Sequence, residues 1–382
     1  MDAQATEALL SFFQVIPDPR AGNRRHRLVD VISTAILAVF CGSEDWVDVQ
    51  AWGQANQAWL RGFLALPHGI PSHDTFGEVF ARLDPRAFEA CFMSFSQRLV
   101  EASGGRLIAL DGKTLRRSFQ HAWSDSAIHM VSAYVSANRV ILGQMAGTGA
   151  GRELELLLAL LELLDLKGAT VTIDALGCQK VVAEKIVARG GDYVLALKQN
   201  QPTLHAQTQA LLDEAILEWR DGSAGLRHDK YQEVEGDHGR IETRTCWVTD
   251  DLRHLPPALR EEWPSVAALV VVESCRELPG KKPTVARRYF IASGKQPQAK
   301  AMAQAVRSHW GVENRLHWQL DVSLREDASR VRKDHGAENF SRLRRIVLTK
   351  LKRETSKKVG IKCKQKICGW DRDYLLACLL AT

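Results

Sequence analysis

No apolar run in the chain approaches the ~20 residues that span a bilayer. The longest candidate, LELLLALLELLDL over 154–166, is broken by Glu155 and Glu162, so no membrane contact is expected. The start, MDAQATEALLSFF, has no basic region ahead of its apolar stretch, which argues against a signal peptide. There is no C-x-x-C pair among the eight cysteines, at 41, 91, 178, 246, 275, 363, 368 and 378. Cys363 and Cys368 are spaced too loosely for a zinc knuckle, and no nearby histidine pair completes one. The thiols are therefore expected to be reduced and structural, in a cytoplasmic protein. Internal repeats and low-complexity segments are missing too. What remains is ordinary globular composition, 45% hydrophobic and 25% charged over 382 residues, enough for two or three domains.

Charge is unevenly distributed. The net charge is +6, but residues 325–373 carry 16 Lys+Arg against 7 Asp+Glu, so the rest of the chain sums to −3. A basic block of that length, with Trp370 and Tyr374 at its end, points to a polyanionic partner.

Residues 1–100 read as helical. LVDVISTAILAVFCG has helical periodicity and stops at Gly42, and PSHDTFGEVFARL offers Ser72 or Asp74 as an N-cap. Trp46, Trp52 and Trp59 are expected to pack in this domain's core. From residue 106 the texture changes to strands and helices in the order β-β-β-α-β-α-β: RLIALD, HMVSAYVS, RVILGQMAG, the helix RELELLLALLELLDL, TVTIDA, the helix CQKVVAEKIVARGG, and DYVLALK. A meander followed by helical crossovers implies an α/β fold, a mixed sheet with helices on it. After a helix at 203–220, residues 228–292 supply the strands RIETRTCWVT, VAALVVVESCRE and ARRYFIAS, read as an inserted sheet. A long helix returns at 297–324.

Three carboxylates stand out. Asp111 ends one apolar strand and Asp174 another, and strand ends along one sheet edge are where sites are built. In the long helix the apolar stripe Met302, Val306, Trp310, Leu320 includes Glu313, which would face the core and need a cationic partner such as Lys198, Arg307, His317 or a metal. Clustered carboxylates suit Mg²⁺, and a basic protein with such a site suits a nucleic acid backbone. Zinc on His309, Glu313 and His317 is the weaker reading, because H-E-x-x-H is absent. Asp321, Glu326 and Asp327 are expected to pair with Arg325, Arg330 and Arg332.

Several long blocks resemble a known family in order. FFQVIPDPRAGNRRHRLVDVISTAILAVFCGSEDW and GIPSHDTFGEVFARLDP resemble the N-terminal associated domain of ISAs-type (H-repeat-associated) insertion-sequence transposases of the DDE superfamily. ALDGKTLRRS, TIDALGCQK, DYVLALKQNQ, HGRIETR and HWGVENRLHWQLDVSLREDASRVR resemble its catalytic blocks, and GWDRDYLLACL its C-terminal signature. The resemblance runs from about residue 11 to 380. It implies an RNase H-like core with Asp111, Asp174 and Glu313 as the catalytic, metal-binding acids, at spacings of 63 and 139 residues. It further implies two Mg²⁺ ions, with Mn²⁺ able to substitute, and metal-dependent cutting of element ends followed by joining of 3′-hydroxyls to target DNA. The partners implied are terminal inverted repeats, target DNA, and a second copy in a dimer or larger synaptic complex near the nucleoid.

Lys113, Arg116, Lys198, His309, Asn314, His317 and Arg330 are the candidate DNA contacts. The expected division is a helical, DNA-binding domain at 1–100, a first part of the core at 101–204, a β-rich insertion at 205–296, a final catalytic helix at 297–350 and a basic segment at 351–382. The chain departs from relatives in two places. Val306, His309 and Leu320 stand at the Tyr, Arg and Lys positions of Y-x2-R-x3-E-x6-K, and GAGRELE replaces K-S-N-E, keeping only Glu153. A structure-specific nuclease with the same acids and a DNA-binding protein that no longer cuts are the alternatives.

Overall fold

The computed structural model describes residues 13–22, 24–101, 107–118, 127–135, 140–148, 151–223, 225–237, 239–295 and 297–381. The connection expected as a hairpin turn at 137–139 and the start of GAGRELE lie outside them. Among the described residues, nine strands form one sheet in the order β3-β2-β1-β4-β5-β9-β8-β7-β6. They are β1 (Leu107–Leu115), β2 (Ile128–Val135), β3 (Val140–Thr148), β4 (Thr170–Ile173), β5 (Asp192–Leu197), β6 (Asp229–Asp237), β7 (Arg240–Thr249), β8 (Val266–Glu277) and β9 (Thr284–Ser293). The mixed sheet flanked by helices meets the expectation from the sequence. Two compact units divide the chain. One holds Gly105–Asp111 and Leu157–Val312; the other holds Met1–Gly104, Gly112–Leu156 and Glu313–Thr382.

In the first unit, β1, β4 and β5 pair in parallel, with Leu110 opposite Ile173 and Thr172 opposite Val194. Leu107–Leu110, Val171–Ile173 and Tyr193–Leu195 are almost wholly buried, as expected of parallel strands covered on both faces. The crossover helix α7 (Lys180–Ala188) packs on β5, and α8 (Pro202–Asp221) packs on β9. The strands after α8 do not form a sheet of their own: β9 pairs antiparallel with β5, and β8, β7 and β6 continue outward. The outermost strand, β6, was not expected, because DKYQEVEGD lacks an apolar face and only Tyr231 reaches the core. A helix α10 (Ala299–Val312) lies over this sheet. Its Ala299, Met302, Ala305 and Val306 close a core with Val194, Val270, Val272 and Phe290.

The other unit packs α1 (Leu28–Phe40), α2 (Trp46–Ala55), α3 (Gln57–Leu60), α4 (His73–Arg82) and α5 (Pro85–Glu101) with α12 (Gly336–Arg353), α13 (Ile361–Trp370) and α14 (Arg372–Leu380). The short helix α11 (Trp318–Val322) also belongs here, α9 (Pro257–Glu261) lies in the first unit, and α6 (Glu153–Leu163) spans the boundary between them. Ser72 caps α4, accepting from the Thr75 amide at 3.3 Å. Phe76, Phe80, Phe88 and Phe340 are fully buried. The Trp46 ring lies 4.7 Å from those of Phe80 and Phe340, and Trp52 meets Trp59 edge-on, so the tryptophans do pack here, half-buried.

The basic block is only partly a surface: Arg325, Arg330, Lys333, Lys357, Lys358, Lys362, Lys366 and Arg372 are exposed, but its central helix turns its charge inward. Helix α12 is buried on nearly every side, with Arg342, Arg344, Arg345 and Lys350 inside. Glu89 receives Arg342 at 2.7 Å and the Gln144 amide at 2.8 Å, so α5, α12 and β3 meet on one carboxylate. Within α12 these charges are not available to a polyanion, because formal charge in a sequence does not reveal partners distant along the chain.

Candidate active site

Leu107 packs against the core beneath α10. Strand side chains alternate, so Ala109 and Asp111 share that face. Thr172 is opposite Ala109 in register, and Asp174 follows β4 directly, one step past the Leu110–Ile173 pair. Asp111 and Asp174 therefore occupy matched positions on neighbouring parallel strands, on the face that α10 covers. Thr172 Oγ1 is 3.4 Å from His309 Nδ1 on α10, which confirms the face. One expectation needs correcting: β1 does not end at Asp111 but runs on to Leu115. What ends there is its pairing with β4, so the carboxylate sits at the edge of the parallel ladder.

The chain beyond Asp174 is a tight, braced loop. Asp174 Oδ1 accepts from the amides of Leu176 at 3.1 Å and Gly177 at 3.4 Å. Gly177 has no room for a side chain, since a Cβ would fall inside the Ile173 methyl. Asn200 donates to the carbonyls of Ala175 and Cys178, and Gln201 reaches Cys178 O at 3.0 Å. These two amides, part of the KQNQ block, were not singled out as site residues. The buried Cys178 thiol is pushed up to about 12 by desolvation, so it stays protonated. Burial lowers His309 below the usual histidine range, against the pull of the Asp174 carboxylate, and Lys198 depresses it further. His309 is thus a neutral ring beside Asp174, with exposed Lys198 nearby.

Glu313 is exposed rather than core-facing. It opens a π-helical turn, Glu313–His317, between α10 and α11. The buried stripe runs through Met302, Ala305, Val306, Val312, Leu316 and Leu320 instead. Trp310 misled the periodicity: it is 48% exposed and covered by the Arg288 guanidinium, 3.7 Å from its ring centre. An exposed carboxylate needs no buried counter-charge, and Arg307 is engaged elsewhere, with Glu233 and Glu235.

Glu313, Asn314, His317, Trp318 and Asp321 line a cleft of about 490 Å³ together with Gly112–Thr114, Arg116 and Asp327. Arg116 is exposed at this cleft, while exposed Arg330 does not line it. Lys113 is different from the expected phosphate contact. Its ammonium is buried and held by Asp321, by Glu326 at 3.1 Å and by Asp327 at 3.5 Å. Glu326 is clasped from behind by Arg345 at 2.7 Å and the Ser341 hydroxyl at 2.7 Å. The three acids therefore do pair with cations, but with Lys113, Arg116 and Arg345. Of the arginines expected, Arg325 goes to Glu44 and Arg332 to the Arg117 carbonyl.

Gly112 leaves room for Glu153, whose carboxylate lies where a Cβ would be. His129 links Glu153 at 3.1 Å to the Thr114 hydroxyl at 3.1 Å. Glu153 was marked in the sequence only as the surviving acid of GAGRELE; its partner His129 carried no signal. Among the described residues, no three His, Cys, Asp or Glu side chains gather closely enough to hold a metal ion.

Comparison with known proteins gives matches over most of the chain. A model described as DDE_Tnp_1-associated matches residues 10–96, and one described as Transposase DDE domain matches residues 102–349. "Putative transposase YncI" of Escherichia coli O157:H7 is 37% identical over 375 residues, 97% of this chain and 93% of that protein. "H repeat-associated putative transposase YhhI" of Escherichia coli strain K12 is 34% identical over 378 residues, 97% of each. A cryo-EM structure of the piggyBac transposase synaptic complex with hairpin DNA is a remote likeness, with a TM-score of 0.40 and 11% identity over 99% of this chain and 78% of that one.

Proposed function

The chain belongs to the DDE transposase family, with an RNase H-like fold, and from that premise we propose that it cuts the ends of a DNA element and joins the freed 3′-hydroxyls to target DNA. Asp111, Asp174 and Glu313 are the acids of this site. The observation that carries the reading is the placement of Asp111 and Asp174 one step past the last pair, Leu110 and Ile173, of neighbouring parallel strands beneath α10. Glu313 supports it from the sequence side, one helical turn after His309 and facing the cleft walled by the residues that follow Asp111.

The donor set fits Mg²⁺ or Mn²⁺, because it offers only hard carboxylate oxygens. Mutual repulsion opposes the approach of three such groups until a cation offsets it. Two ions bound there would activate the attacking water or hydroxyl and stabilise the leaving oxygen. The chain's own residues have separate tasks. The loop held by Asn200 and Gln201 fixes Asp174, and the neutral His309 keeps positive charge away from that carboxylate. Arg116, Lys198 and Asn314, all exposed, meet the phosphates of terminal-repeat and target DNA. Lys113 is removed from that list, since its charge is held internally. The protein acts as a dimer or larger assembly, so that two element ends are cut together.

The test uses purified protein, Mg²⁺ and a duplex made from the DNA flanking the gene. Wild type should nick the duplex and transfer a labelled 3′-hydroxyl strand. Asp111→Ala, Asp174→Ala and Glu313→Ala should each lower cutting by about 10²–10³-fold or more. Cutting without joining would favour a nuclease, and full cutting by Asp111→Ala would end this reading.

A further inference from the structure

Lys113 stands two residues after Asp111, on the same face of β1. Its partners lie far along the chain, in the segment that follows Glu313: Asp321 in α11, and Glu326 and Asp327 just beyond. The Lys113 side chain is 8% exposed and that of Glu326 1%. Arg345 and Ser341 on α12 hold Glu326 from the other side. One buried chain of charges, Lys113–Glu326–Arg345, with Asp321 on the same ammonium, thus fastens the strand end beyond Asp111 to the segment carrying Glu313.

We propose that Lys113 is a positioning residue for Glu313 of the proposed metal site, its ion pairs with Asp321 and Glu326 setting where the Glu313 segment stands against Gly112–Leu115. The inference rests on the site reading above. A long side chain at a cleft wall would ordinarily reach for phosphate. Here three carboxylates already take the ammonium, so its work is done inside the protein.

Simple electrostatics and positioning predict opposite results. Lys113→Met removes a positive charge near the carboxylates, which by Coulomb's law strengthens cation binding. A positioning role predicts weaker binding, by about 10–100-fold, as when outer partners of metal ligands are removed. The measurement is Mn²⁺ binding to the full-length protein, followed by the electron paramagnetic resonance signal of the free ion, with Asp111→Ala as the baseline. Lys113→Arg, which keeps the charge and can keep the pairs, should restore binding to within a few-fold.

If Lys113→Met does not fold, Lys113→Met/Asp321→Leu replaces the pair with apolar side chains, a change that is often tolerated. It leaves the net charge unchanged and should still show the loss. Mn²⁺ binding by Lys113→Met, or by that double variant, equal to or tighter than wild type overturns the inference and leaves the site reading standing. Identical binding by wild type and Asp111→Ala overturns the site reading, and this inference with it.

Discussion

Glu326 is a charge kept where there is almost no water. Burial alone would raise its pKa, but Arg345, Lys113 and Arg344 and the Ser341 hydroxyl more than reverse that, bringing it down to about 2. A depressed carboxylate contributes its stabilisation above the unfolded-state pKa and loses it as pH falls through the folded one. Glu326→Gln should therefore cost about 3–5 kcal/mol at pH 7, since it leaves buried cations unpaired. The gap to wild type should narrow between pH 4.5 and about 2. Urea unfolding at pH 7 and pH 3 checks this, and a gap that stays constant would count against it. None of these contacts was legible in the sequence. Lys113 read as a surface charge because its partner Asp321 lies 208 residues away.

At the scale of elements, the clearest sequence signals came from burial on two sides. TVTI and DYVLAL are buried over most of their length because helices cover both faces, and they were read correctly as strands. β6 was missed because an outermost strand can be polar on both sides. The α10 stripe was misread at Trp310, whose ring is covered by an arginine and not by the core. The loop after Asp174 shows how neighbouring elements share a task, since the side chains of Asn200 and Gln201 supply donors to its carbonyls. Asn200→Ala should leave those carbonyls short of a donor and cost about 1–3 kcal/mol. Hydrogen exchange should speed up at residues 174–179 and stay unchanged in β6–β9. Unchanged exchange in the loop would show that Asn200 does not brace it.

For the whole molecule, net charge is a poor guide to where DNA binds. The chain is +6 overall, yet Arg342, Arg344, Arg345, Lys350 and Lys364 of its most basic stretch are buried. DNA affinity should still fall steeply with salt, as phosphate contacts release counterions. Arg116→Ala should reduce the log–log salt slope by about 1. Lys113→Met should leave the slope unchanged, because its charge faces inward; a matching drop for both variants would show that Lys113 meets phosphate after all. Local chemistry determined the rest. Strand and helix periodicity, the Ser72 cap and the blocks around Asp111, Asp174 and Glu313 are short-range patterns, so the sequence alone was enough to identify the family and nominate its acids. Which charges turn inward, which face Glu313 takes and what holds the Asp174 loop depend on residues remote in the chain. Only the tertiary structure decided these, because the energy of a charge depends on its surroundings and not on its neighbours in sequence.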